Sequence, residues 1–270
     1  MSAISQTFTE LREQNEAALI AYLTVGDPAP KHTPRLVSAL VEGGADIIEL
    51  GIPFSDPIAD GPTIQTAVKR ALTNGTRPTD ALRFAREIKE KHDTPLVLMT
   101  YYNPIFRIGL HKFFASARKA GISGIIVPDL PVEESLEYKK ECTTASLDTV
   151  FLASPSTEER RLKEILAQTS GYLYLISLYG VTGVRKILPG EALQLVKKYS
   201  IALRDTIPLA VGFGISEQKH VRDVVQAGAN GVIVGSAFVK IVGENSRNVG
   251  RASTKLVQLA RRLKRGTIKA

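Results

Sequence analysis

Short apolar runs return at intervals along this chain, each followed by a stretch whose apolar positions recur at helical spacing. The runs fall at Leu19–Thr24, Asp46–Leu50, Pro95–Thr100, Gly124–Val127, Thr149–Ala153, Tyr172–Ile176, Pro208–Val211 and Gly231–Val234. They are continuous rather than alternating, the pattern of strands buried on both faces. Strands that alternate with helices pair in parallel through right-handed crossovers, and eight such units fit a closed (β/α)8 TIM barrel. Ahead of the first unit, Ile4, Phe8 and Leu11 share one helical face, which predicts an extra N-terminal helix packed on the barrel. No linker or low-complexity tract interrupts the series, so residues 1–270 are expected to form one barrel domain.

Composition narrows the setting. A hydrophobic content of 44% with 23% charged residues is ordinary for a globular protein, and no window is apolar for long enough to predict a membrane span. The N-terminus lacks the basic start and apolar core of a secretory signal, and the single cysteine, Cys142, excludes an intrachain disulfide. A cytoplasmic location is expected. The net charge of +8 is concentrated at the C-terminus, where Arg251 to Ala270 carry seven basic and no acidic side chains. Ala252, Leu256, Leu259 and Leu263 recur at helical spacing through that segment. Its basic residues therefore read as the outer face of an amphipathic helix rather than a nucleic-acid site.

In barrels of this kind the active site lies at the C-terminal ends of the strands. The stretch Glu49-Leu-Gly-Ile-Pro-Phe-Ser-Asp-Pro-Ile-Ala-Asp-Gly-Pro62 leaves the second such end as a long loop with three prolines. Glu49 ends an apolar strand; pointing inward it would be desolvated, which raises a carboxyl pKa and suits it to give and take protons near neutrality. The alternative is a strand-end Glu exposed or paired with a lysine. If Pro62 opens the next helix, Gly61 takes the cap position and Asp60 falls outside it, free to point elsewhere. Asp56, between Ser55 and Pro57, is an ordinary turn residue.

Glycines mark the last two strand ends, in Val211-Gly-Phe-Gly-Ile-Ser216 and Val234-Gly-Ser-Ala-Phe238. Loops there, with a helix N-terminus nearby, form the common phosphate site of such barrels, because glycines let backbone N–H groups approach an anion closely. A phosphorylated substrate is expected. The glycine-bearing segment after Ser177 is a candidate lid, and Tyr174 could offer a hydroxyl to the barrel mouth or simply pack. His32, His92, His111 and His220 show no metal spacing, so no metal is assigned.

The acidic loop, together with AYLTVGDP at 21–28, PDLPVEES at 128–135, GVTG at 180–183, VGFGIS and VGSAFV, resembles the tryptophan synthase alpha subunit over nearly the whole chain. The resemblance implies a barrel that cleaves indole-3-glycerol phosphate to indole and glyceraldehyde 3-phosphate by a retro-aldol reaction. Glu49 and Asp60 fall on its two catalytic acids, the first acting at indole C3 and the glycerol hydroxyl, the second at the indole N–H. Tyr174 falls on its active-site tyrosine, Thr182 on a lid threonine that orients the Asp60 equivalent, and Gly183, Gly214, Gly235 and Ser236 on its phosphate donors. Tyr22 and Phe213 would flank the indole. The resemblance further implies an alpha2beta2 complex with a pyridoxal-phosphate beta subunit that receives the indole, no cofactor in this chain, and Asp56 as a contact communicating with beta. Two departures stand out: Tyr179 in the lid, where Ser or Thr is frequent, and Val25 in place of a common Ala. The rival readings are a sugar-phosphate isomerase or epimerase on the same scaffold, and a catalytically silent subunit that only activates its partner.

Overall fold

The computed structural model describes residues 1–176, 190–203 and 206–269. Eight strands, β1 Ala18–Thr24, β2 Ile47–Gly51, β3 Leu96–Met99, β4 Ile122–Ile126, β5 Asp148–Ala153, β6 Leu173–Ile176, β7 Leu209–Gly212 and β8 Gly231–Val234, pair in sequence order. All pairs are parallel and β8 closes on β1, giving the barrel that the apolar runs predict.

Strand alternation sorts the apolar side chains into two layers. Leu19, Ala21, Ile48, Leu50, Leu98, Leu173 and Val232 point outward into the main core, where they meet helix residues such as Leu36, Leu40, Phe84 and Phe113. Ile20, Ile47, Val97, Ile126, Val150, Tyr172, Ala210 and Ile233 form a second cluster, the filling of the barrel itself. Since both faces of every strand are covered, the runs are mostly apolar, with few polar residues such as Glu49 and Thr149.

The N-terminal helix Ala3–Glu13 carries Ile4, Phe8 and Leu11 into that second cluster. It is thus a plug under the barrel floor rather than a patch on its flank. Gly124 and Gly231 leave the room it needs, for a Cβ would meet Ile4 at 2.8 Å from the first and Phe8 at 3.2 Å from the second. The basic helix Val249–Lys264 buries Ala252, Leu256, Leu259 and Leu263, as its periodicity predicts. Some of its charges are tied inward: Lys264 bonds Asp46 at 2.8 Å and Glu16 at 2.9 Å, and Arg261 reaches Glu42 at 2.9 Å. Among the described residues no helix is long and apolar enough to cross a membrane.

Candidate active site

The two acidic candidates reach the barrel mouth by different routes. Glu49 stands on β2 in register with Tyr22 of β1 and Val97 of β3, on the inward face. Its side chain is 1% exposed. One carboxyl oxygen, Oε1, accepts a hydrogen bond from the Tyr172 hydroxyl at 2.6 Å, while Oε2 is buried with no hydrogen-bond partner. Burial pushes the carboxyl from its ordinary 4.5 up to about 7, against the opposing pull of the Tyr172 bond. A group so placed holds a proton for part of the time at neutral pH.

Asp60 arrives on the loop between β2 and the helix Pro62–Thr73. Gly61 caps that helix and Pro62 is its first residue, so the Asp60 side chain is released from capping. It accepts instead a hydrogen bond from Tyr101, beyond β3, whose hydroxyl donates to Oδ2 at 3.0 Å. Burial raises the carboxyl from 3.8 to about 6, again with the tyrosine bond opposing. The two carboxyls share a neighbourhood, since both raise the pKa of Tyr22 and of Tyr174 by charge, after the larger effect of burial on each tyrosine.

Tyr174 of β6 and Tyr22 of β1 line this space from two different strands. Their rings lie where glycines make room: a Cβ on Gly212 would meet the Tyr174 ring at 2.7 Å, and one on Gly51 would strike the Tyr22 ring. Tyr22 packs with Ile64, Ala67 and Val68 of the following helix and with Val239. Phe213 is buried in the main core outside the sheet, in a cluster separate from that of Tyr22. Val25 is buried in that outer layer too.

At the glycine ends, Gly214 has φ +72°, a conformation that favours glycine, and Gly235 caps the helix Ser236–Glu244. Gly235 needs no glycine on packing grounds, because its φ is −114° and a Cβ would meet Tyr22 at an ordinary 3.5 Å. Its position at that helix N-terminus suits approach of an anion to the first amides of the helix. Ser236 is buried at the first helical position. Thr182, Gly183 and Tyr179 lie outside the described residues. Asp56 is exposed, its carboxylate accepting a hydrogen bond from Ser55 at 2.5 Å.

Tyr172 and Tyr101 are the members of this constellation that sequence reasoning passes over. A tyrosine in a strand reads as packing, and only barrel closure sets β6 opposite β2. The sole signal for Tyr172 is its two-residue spacing from Tyr174, which puts both on one strand face. Among the described residues no group of three or more His, Cys, Asp or Glu side chains is placed to hold a metal.

The fold and site together define a (β/α)8 barrel with two carboxyls of raised pKa at its C-terminal mouth and glycines at its last two strand ends. The family model for the tryptophan synthase alpha chain matches residues 8–268, and the chain belongs to that family. It is 49% identical over 267 residues to the tryptophan synthase alpha chain of Methanosarcina mazei, covering 99% of this chain and 95% of that protein. Among solved structures it resembles Mycobacterium tuberculosis tryptophan synthase, with a TM-score of 0.90 at 36% identity over 100% of this chain and 99% of that one. It also resembles a chain of the Pyrococcus furiosus tryptophan synthase a2b2 complex, described for its mutual activation, with a TM-score of 0.86 at 46% identity over 92% and 98%.

Proposed function

We propose that this chain cleaves indole-3-glycerol phosphate to indole and glyceraldehyde 3-phosphate, with Glu49 and Asp60 as its acid-base pair. The observation that carries the reading is the meeting of two carboxyls, Glu49 fully buried and Asp60 half-buried, raised to about 7 and about 6, at one barrel mouth. Retro-aldol cleavage needs a proton delivered to indole C3 and another removed from the glycerol hydroxyl next to the bond that breaks. The electron pair of that bond returns to the ring as the carbonyl forms; the delivered proton stays on C3, and the carboxylate takes the hydroxyl proton in its place. One carboxyl that ionises near neutrality serves both steps. Glu49 takes this part through Oε2, the oxygen without a partner. Asp60 takes the indole N–H, steadying the positive charge that builds on nitrogen when C3 is protonated.

Tyr22 and Tyr174 then border the indole, and the phosphate rests on backbone donors at Gly214, Gly235 and Ser236, joined by Gly183; Phe213, expected beside the indole, packs instead in the core outside the sheet and has no part in it. Thr182 would steady Asp60 from the segment after β6. The isomerase alternative gives no use for a second acid on a proline-rich loop, and a silent subunit gives none for two raised carboxyls.

A beta subunit as partner is supported by apolar exposure on consecutive C-terminal loops. Ile58 beyond β2, Phe106 beyond β3 and Leu136 beyond β4 are 81%, 67% and 72% exposed, more than isolated surface residues require. Asp56 lies beside Ile58 and joins that surface. The assembly is alpha2beta2, with pyridoxal phosphate held by beta and no cofactor in this chain. A reducing cytoplasm suits the buried free thiol of Cys142. Incubation with indole-3-glycerol phosphate tests the function: indole and glyceraldehyde 3-phosphate should appear in equal amounts. Isomerised substrate without indole would favour the sugar-phosphate alternative.

A further inference from the structure

The site described so far leaves the motif Pro128-Asp-Leu-Pro131 beyond β4 without a part. Its Asp129 carboxylate accepts the backbone N–H of Tyr102 through Oδ1 at 2.9 Å and Oδ2 at 3.2 Å. Tyr102 is the first residue of the helix Tyr102–Ile108 and Tyr101 is its cap. An acid from the neighbouring loop therefore satisfies an amide that the helix leaves unpaired, and in doing so fixes the backbone beside Tyr101.

Tyr101 is 4% exposed, and its hydroxyl is used twice. It accepts the Ala59 N–H at 3.0 Å and donates to Asp60 Oδ2 at 3.0 Å. A phenol has one proton and spare lone pairs, so both bonds form together and the proton is committed to the carboxylate. The ring packs on Phe54, at the root of the same loop, with centroids 5.3 Å apart. Bonds such as Ile58 N–H to the Asp56 carbonyl at 2.9 Å and Asp60 N–H to the Pro57 carbonyl at 3.1 Å shape the loop internally. They do not hold the Asp60 carboxyl, and Gln65 of the next helix bonds only the Asp60 carbonyl, at 2.7 Å; the carboxyl itself is held by Tyr101.

We propose that Tyr101 is a positioning residue for Asp60, and that Asp129 anchors it, so that three consecutive strand ends, β4, β3 and β2, pass orientation to one acid. The inference rests on the reading of Asp60 as the group at the indole N–H. Among the described residues, the titratable groups around Asp60 are Tyr22 of β1, Glu49 of β2, Tyr101 and Tyr174 of β6, with Asp129 behind Tyr101. Of these, the Tyr101 bond is the one that favours the ionised carboxylate.

The test is Tyr101→Phe in the full chain with beta subunit present, which keeps the ring on Phe54 and removes only the hydroxyl. Turnover of indole-3-glycerol phosphate should fall roughly 10- to 100-fold, the loss expected from a misplaced catalytic group, with the Michaelis constant changed less than about threefold. In carbon-13 NMR of aspartate-labelled protein, the Asp60 carboxyl, assigned by its absence in Asp60→Asn, should titrate at higher pH than in wild type. Asp129→Ala should shift both readouts the same way with Tyr101 intact, and it serves alone if Tyr101→Phe does not fold. A merely structural tyrosine would lower the denaturation midpoint and leave titration and turnover in place. If Asp60→Asn is inactive while Tyr101→Phe keeps turnover within about twofold of wild type and the titration is unmoved, the positioning role is overturned and the reading of Asp60 survives. If Asp60→Asn is itself fully active, both fall.

Discussion

Glu49→Gln separates the protonation of this side chain from its shape. The native carboxyl is pushed from 4.5 to about 7 by burial, so between those values the folded protein binds more protons than the unfolded chain. Stability then falls as pH rises through that window, with the full loss present above it. At 1.36 kcal/mol per pH unit the loss is about 3 kcal/mol. Glutamine keeps the acceptor for the Tyr172 hydroxyl and cannot ionise. Its amide nitrogen takes the place of the unpartnered Oε2, a cost that does not vary with pH. The variant should therefore gain on wild type by up to about 3 kcal/mol between about pH 4.5 and pH 8, or roughly 6–12 °C in thermal midpoint for a chain of this size. Other raised acids, Asp27, Asp46 and Asp60, are common to both proteins and cancel. Urea unfolding of both proteins across that range measures the difference directly. A difference that stays constant within about 0.5 kcal/mol, the scatter of an ordinary surface change, would refute the claim that Glu49 is buried with a raised pKa.

Three further outcomes follow from the same geometry. Tyr172→Phe removes the bond that holds the Glu49 pKa down, so the limb of the rate profile belonging to Glu49 should move to higher pH while substrate affinity changes little; an unmoved profile removes Tyr172 from the site. Gly235→Val, at a position whose φ and neighbours admit a Cβ, should raise the Michaelis constant at least roughly tenfold in folded protein; unaltered affinity for a phosphate-bearing analogue would move the phosphate elsewhere. The isolated chain should be a slow catalyst that beta subunit accelerates, because the exposed Ile58 and Asp56 lie on the loop that carries Asp60; equal steady-state rates with and without demonstrated complex would contradict this.

The fold was legible because a parallel barrel buries both faces of its strands, which leaves apolar runs that nothing else in the chain imitates. Helix-type spacing likewise exposed Ile4, Phe8 and Leu11, yet their destination under the barrel floor depends on glycines distant in sequence. Glu49 and Asp60 were legible since a carboxylate in an apolar run, and another one residue outside a proline-started helix, break local rules. Tyr172 and Tyr101 break none. Each is an ordinary aromatic at the edge of a strand, and its meaning comes only from the acid that the fold brings to its hydroxyl. The same holds for Asp129, whose part emerges only when the start of the neighbouring helix is seen beside it.

The central claim is that Glu49 moves the proton in cleavage of indole-3-glycerol phosphate, and single-turnover measurement of indole formation by Glu49→Gln tests it most directly. General acid-base catalysis contributes about 10² to 10⁴ in rate, so the folded variant, with beta subunit present, should form indole at least roughly 100-fold more slowly than wild type with substrate affinity nearly unchanged. Indole formation within about tenfold of wild type, well inside the contribution of one acid-base group, would contradict the account and return the chain to the reading of a subunit that binds and activates without catalysing.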